Sequence, residues 1–183
     1  MIIRDCLPED MVHVHAIYDH AVTHFAATYE LETPSLEEMT KRRSTILRRG
    51  FPYLVAEDAG SILGFAYGNM FRERMAYRFM VEDSIYLSPD AQRKGVGSAL
   101  LRELILQCTA RGFRQMVAII GDSENSLGSI GVHRRLGFQE TGRMVGSGFK
   151  FGRWLDTLIM QIALNDGRDT LPDGSSVADK LQL

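Results

Sequence analysis

The decapeptide QRKGVGSALL, Gln92–Leu101, sets two glycines two residues apart behind two cations, directly before a run with helical spacing. The first turn of a helix leaves backbone N–H groups unpaired and carries about half a positive charge, so an anion is favoured there. Gly95 and Gly97 let the backbone approach a ligand with no Cβ in the way, and Arg93 and Lys94 add charge beside it. An ordinary strand–helix turn, with glycines only relieving strain, explains the loop alone equally well. Two phosphate motifs fail on spacing. No GxxxxGK[ST] string occurs, and a dinucleotide fingerprint would need a third glycine where this chain has Ala99 or Leu100.

Working outward, Tyr77–Leu87 alternates Tyr77, Phe79, Val81, Ile85 and Leu87 onto one face as a strand that Pro89 ends. The helix after the loop, Gly97 to Arg111, carries Leu100, Leu101, Leu104, Ile105 and Cys108 on one stripe and closes at Gly112. Upstream, Ile2–Cys6 reads as a strand, and Pro8 opens an amphipathic helix to about His24. A second helix starts at Ser35, with Glu38 completing a capping box, and stops at Gly50. Tyr53–Glu57 and Ser61–Asn69 are strands around the turn Asp58-Ala59-Gly60. Downstream come a buried strand, Arg114–Ile120, a short helix at Ser129–Leu136, and two strands, Phe138–Val145 and Phe149–Leu164. This order predicts a single α/β (α+β) domain over residues 1–164, a mixed sheet with helices on both faces. Residues 165–183, rich in Gly, Asp and Ser, read as a flexible tail.

Composition narrows the partners. Net charge is −2, so no overall field draws the chain to nucleic acid or an anionic membrane. Two distant cysteines, Cys6 and Cys108, make no disulfide framework and suggest a reducing compartment. With neither a signal-length apolar segment at the N-terminus nor a run of about 20 apolar residues, the expectation is a cytoplasmic protein. His20 and His24 lie one turn apart, but no HExxH pattern or third ligand accompanies them, so no metal is expected.

The glycine loop resembles the pyrophosphate loop of the GNAT superfamily of acetyl-CoA-dependent N-acyltransferases. Three blocks, EDSIYLSPDAQRKGVGSALL (82–101), VHRRLGF (132–138) and GFKFGRWLD (148–156), resemble the branch containing phosphinothricin and methionine sulfoximine N-acetyltransferases. The likeness covers about residues 2–163. It implies the GNAT fold with a mostly antiparallel sheet, acetyl-CoA as co-substrate, a small-molecule amine as acceptor, and a homodimer. It also implies that Ile85, Tyr86 and Leu87 offer backbone groups to the pantetheine arm. Arg93, Lys94, Gly95, Val96, Gly97 and Ser98 would cradle the pyrophosphate, and Asn125 would bond the pantetheine. Asn125 stands one residue farther from His133 than the family's usual spacing, so Ser129 could share its role.

An ammonium must lose a proton before it attacks a thioester, so a base with a pKa lifted toward 7 is required. Glu82 sits among Met80, Val81 and Ile85, where an apolar setting raises a carboxyl pKa. An outward, solvated strand acid is the competing reading of the residues, and the resemblance assigns Glu82 as the base. Asp83, on the opposite face, is the runner-up base or a substrate contact. His133 stands where many GNAT enzymes place an acid, or is a surface histidine beside Arg134 and Arg135. Arg72 and Arg74 could clamp an acceptor carboxylate or merely mark a solvated loop. Phe25 and Tyr29 could wall the acceptor pocket or pack in the core. The basic run KRRSTILRRG, Lys41–Gly50, reads as a solvated helix face. Acetylation of an amino-acid-like amine is the first reading. A protein N-terminus or polyamine as acceptor, or a sensor that binds acetyl-CoA without turnover, remain alternatives.

Overall fold

The computed structural model describes residues 1–181; Gln182 and Leu183, the end of the expected tail, lie outside the described residues. In chain order the elements are β1 (Ile2–Asp5), α1 (Met11–His24), α2 (Leu36–Arg48), β2 (Tyr53–Asp58), β3 (Ser61–Met70), β4 (Met80–Leu87), α3 (Val96–Ala110), β5 (Gln115–Gly121), α4 (Leu127–Arg135), β6 (Gln139–Lys150) and β7 (Arg153–Ala163). The seven strands form one sheet in the order β1-β2-β3-β4-β5-β7-β6. Every neighbouring pair is antiparallel except β4 with β5.

Strand pairing sorts the side chains by face. Tyr67 lies opposite Ser84, Phe65 opposite Tyr86 and Asn69 opposite Glu82, and Tyr53 lies opposite Tyr67. This aromatic face meets α1, whose Tyr18 sits edge-on to Tyr86 with ring centroids 4.9 Å apart. The other face carries Val81 and Asp83 and receives α3, with Leu100, Leu101, Leu104 and Cys108 fully buried. Ser35 caps α2, accepting the Glu38 N–H at 3.2 Å, but Glu38 does not complete the expected capping box, since its carboxylate pairs with Arg42 instead. No helix among the described residues is long and apolar enough to cross a membrane.

Three boundaries differ from the sequence reading. Pro8–Asp10 is a 3-10 turn, and α1 begins only at Met11. The strand expected from Tyr77 begins at Met80, because Met75–Tyr77 winds into another 3-10 turn. The last hairpin turns at Phe151-Gly152, both at positive φ, instead of at Gly146–Gly148, where β6 is only irregular in register. Gly148 serves a different need, since a Cβ there would stand 2.5 Å from the Tyr29 ring.

The segment expected to be flexible packs against the domain. Ala178 and Leu181 are buried in the main core. Arg114 donates to the carbonyls of Gly167 and Thr170, and Asn165 donates to those of Thr109 and Phe113. A few apolar residues and these polar ties hold it against the end of α3, which composition alone does not register.

Candidate active site

The site begins where the sheet splits. β4 pairs with β5 only from Met80 to Asp83, opposite Gln115 to Ala118. Beyond Asp83 the strands diverge; Ile85 and Tyr86 line the gap and, with Leu87, the cleft beyond it. An unpaired strand flank is a ready partner for an extended amide-bearing chain. The gap holds about 260 Å³ near Glu82 and opens into a cleft of about 660 Å³. Both volumes share Ser126, Ser129 and His133.

The glycine loop forms one lip of the cleft. Gly95 caps α3 at φ 83°, a left-handed conformation that favours glycine. Arg93 also sits at positive φ, 57°, a costly posture for a residue with a side chain. The bond from the Ala99 N–H to the Gly95 carbonyl, 3.0 Å, opens the helix. The N–H groups of Val96, Gly97 and Ser98 therefore face outward as free donors. Gly97 has a different reason from Gly95. A Cβ there would make only ordinary contact with Leu87 at 3.4 Å, so what glycine preserves at this position is room in the cleft. Arg93 and Ser98 line the cleft, Lys94 is exposed beside it, and the Val96 side chain points into the core. Asn125 lines it as well and donates to Asp122 Oδ1 at 3.0 Å. Gln92, Arg135 and His20 join this lining, although none of them had a part in the site expected from the sequence. The adjacency of Arg135 and His20 to the loop is visible only in three dimensions.

Glu82 stands at the head of the gap. Burial first, and the neighbouring Asp83 carboxylate second, push its carboxyl up to about 7. Asp83 turns the other way, as its alternate position on β4 requires. Its Oδ2 lies 3.0 Å from His133 Nε2, and its Oδ1 is buried with no hydrogen-bond partner. The other ring nitrogen of His133 is 2.8 Å from the Ser129 carbonyl, which can only accept, so that nitrogen carries hydrogen. Burial pulls the imidazolium down, but Asp83 and the Ser129 carbonyl more than offset it, so the His133 pKa stands above its ordinary value. At 3% exposure His133 is not a surface residue.

The expected acceptor residues do not all gather. Tyr29 reaches the gap, its hydroxyl 2.7 Å from Thr157 Oγ1. Phe25 sits on the rim of the larger cleft with Arg93 and Gly97, on the side away from Glu82. Arg72 and Arg74 lie exposed between β3 and β4, and Arg72 covers the Phe71 ring at 5.1 Å. A third cleft, about 390 Å³, lies between α2 and the aromatic sheet face. It is lined by Lys41, Arg42 and Arg49, from the run read as a solvated face, together with Tyr53, Tyr67 and Asn69. Among the described residues no group of three His, Cys, Asp or Glu side chains could hold a metal.

The acetyltransferase (GNAT) family model matches residues 14–138. The chain is 45% identical to a phosphinothricin N-acetyltransferase of Alcaligenes faecalis, over 94% of this chain and 85% of that one. It is 42% identical to an L-methionine sulfoximine/L-methionine sulfone acetyltransferase of Pseudomonas aeruginosa, over 91% of this chain and 96% of the other. Among solved structures, a GNAT superfamily phosphinothricin acetyltransferase of Sinorhizobium meliloti in complex with acetyl-CoA superposes with a TM-score of 0.95. It shares 50% identity and covers 98% of this chain and 97% of its own.

Proposed function

This chain belongs to the acetyltransferase (GNAT) family, and from that premise we propose that it acetylates the primary amine of a small amino-acid-like acceptor, of the phosphinothricin, methionine sulfoximine or methionine sulfone type. It is an acetyl-CoA-dependent N-acetyltransferase. The observation that carries the mechanistic reading is Glu82, a carboxyl lifted to about 7 at the head of the gap beside β4. Glu82 takes a proton from the acceptor ammonium, directly or through water. The amine lone pair then forms the C–N bond at the thioester carbonyl. Backbone N–H groups near Ile85 and Tyr86 steady the oxyanion. Collapse breaks the C–S bond and expels the CoA thiolate, which ends protonated as nitrogen loses its second proton. In this reading Val96, Gly97 and Ser98 present N–H groups, with Arg93 and Lys94, to the pyrophosphate, and Asn125 bonds the pantetheine. His133, with both ring nitrogens engaged, holds Asp83 and the β4–α4 junction in place instead of acting as a mobile acid. Arg72 and Arg74 take the acceptor carboxylate, and Tyr29 borders the acceptor.

A homodimer is part of the proposal. The edge strand β6 and its hairpin partner expose Met144, Val145, Phe149 and Trp154, an apolar surface suited to a second copy. Sedimentation of the chain as a monomer at micromolar concentration would remove it.

The test of function is thiol release from acetyl-CoA with phosphinothricin, methionine sulfoximine and methionine sulfone, run beside their α-amides, spermidine and an N-terminal peptide. Free acids should outpace their amides about ten- to a hundredfold, and the preference should vanish in Arg74→Ala. Faster turnover of spermidine or peptide would overturn the acceptor assignment, and binding without thiol release would leave a sensor.

A further inference from the structure

We infer that the cleft under α2 is a second anion subsite, in which Arg49 and Lys41 receive a side-chain oxyanion of the acceptor. The inference rests on the amino-acid-like reading of the acceptor and names which amino acids the site prefers: those with a second negative oxygen group beyond the α-carboxylate.

Position comes first. The cleft shares its sheet face with Glu82, since Asn69 pairs directly opposite Glu82 and Tyr67 opposite Ser84. An amine held at Glu82 therefore has this cleft on the same side of the sheet. Its 390 Å³ is in the range of small-molecule sites.

Charge comes second. Arg42 is committed, with Glu30 at 2.6 Å and Glu38 at 3.0 Å. Lys41 has no ion pair among the described residues, and Arg49 has one, a long 3.4 Å contact to the exposed Glu73. Lys41 is thus free to meet a ligand, and Arg49 has only a long, exposed contact to give up for one. A solvated basic helix face would account for them if nothing but water lay beneath. Beneath them instead lie two stacked phenols, Tyr53 and Tyr67, with centroids 5.1 Å apart. The Tyr53 hydroxyl has no protein partner among the described residues, and Tyr53 lines the cleft although it is 2% exposed. Burial pushes Tyr67 up to about 12 and Tyr53 higher, so both remain neutral donors at physiological pH. Neutral phenols under guanidinium and ammonium groups make a pocket for an oxyanion.

The Arg49–Glu73 contact also places the end of α2 beside the segment bearing Arg72 and Arg74. The proposed carboxylate clamp and the distal subsite are therefore neighbours.

The test compares phosphinothricin, whose distal group is an anion, with methionine sulfone, where it is neutral and polar, and norleucine, where it is apolar. Steady-state KM is measured for wild type, Arg49→Gln and Lys41→Ala, and phosphinothricin binding to the CoA-loaded protein is titrated calorimetrically. Arg49→Gln should weaken phosphinothricin about ten- to a hundredfold while moving norleucine less than about threefold. Lys41→Ala should act in the same direction more weakly, and affinity for acetyl-CoA should not change in either variant. Glu73→Gln separates a direct contact from an effect through the loop. If it reproduces the loss seen in Arg49→Gln, or if all three amines weaken alike, the subsite is overturned. Wild-type protein that binds phosphinothricin through Arg49 without acetylating it would overturn the proposed function and leave the subsite standing. Wild-type protein that does not bind it would overturn the subsite.

Discussion

Glu82 is at odds with the protein that holds it. Its folded pKa, about 7, lies above the ordinary carboxyl value, so the fold favours the protonated form. This group's contribution to stability is fully present below the ordinary carboxyl value and is lost as pH rises to about 7. Glu82→Gln should therefore lower kcat/KM about 10²–10⁴-fold near neutral pH. The same change should stabilise the protein at pH 8 by on the order of 1–3 kcal/mol. Denaturant titration and steady-state rates on one preparation check both halves; an inactive variant that is also less stable would speak against a desolvated base. Asp83 tunes this carboxyl from behind. Asp83→Asn removes a negative neighbour, so the acidic limb of the pH–rate profile should move below 7. It also breaks a buried pair with His133, at a cost of about 3 kcal/mol. An acidic limb that stays in place would show that Asp83 does not set the Glu82 pKa. The resemblance singled out Glu82, whose chain neighbours alone fit a solvated strand acid too; only their apolar character was legible in the sequence. The burial of His133 was not, because its partner lies 50 residues away.

Among the elements, the glycine loop separates two uses of one residue type. Gly95 answers to its own backbone and Gly97 to what occupies the cleft. Gly97→Val should abolish most acetyl-CoA affinity while leaving thermal stability nearly unchanged, whereas Lys94→Ala should weaken binding by severalfold at most. Calorimetry with acetyl-CoA decides this, and equal affinities would take the loop out of the site. The loop's turn into α3 was readable because glycine spacing and helix-terminus physics act over a few residues; its ligand was not, and came from the resemblance. The β6–β7 turn was misplaced because glycines occur at 146, 148 and 152 and alternation cannot rank them. The deciding contact, between Gly148 and the Tyr29 ring, joins distant parts of the chain. The same limit hid the α2 cleft: KRRSTILRRG reports its charge but not the tyrosines that β2 and β3 set beneath it.

For the whole molecule, the order of elements was enough to predict a mixed sheet with helices on both faces, because each periodic segment could be assigned from its own residues. The C-terminal segment shows where that approach ends. Gly, Asp and Ser dominate it, yet Ala178 and Leu181 lie in the core and the Ala178 N–H bonds the Arg111 carbonyl at 3.1 Å. Removing residues 173–183 should cost about 2–4 kcal/mol of unfolding free energy, mostly from the buried leucine and the surface it covers. Acetyl-CoA affinity should change less than about twofold. An unaltered denaturation midpoint would mean that the segment rests on the domain without supporting it.

The divergence of β4 from β5 reaches beyond catalysis. A sheet divided along its middle is missing a rung, and in the proposed reading the pantetheine arm supplies one each time the co-substrate arrives. The resting protein should therefore be its own weakest form. At a hundredfold excess over Kd, acetyl-CoA should add about 2.7 kcal/mol to its stability, and limited proteolysis should slow in proportion. In a cell short of acetyl-CoA, this enzyme would lose activity and lifetime together.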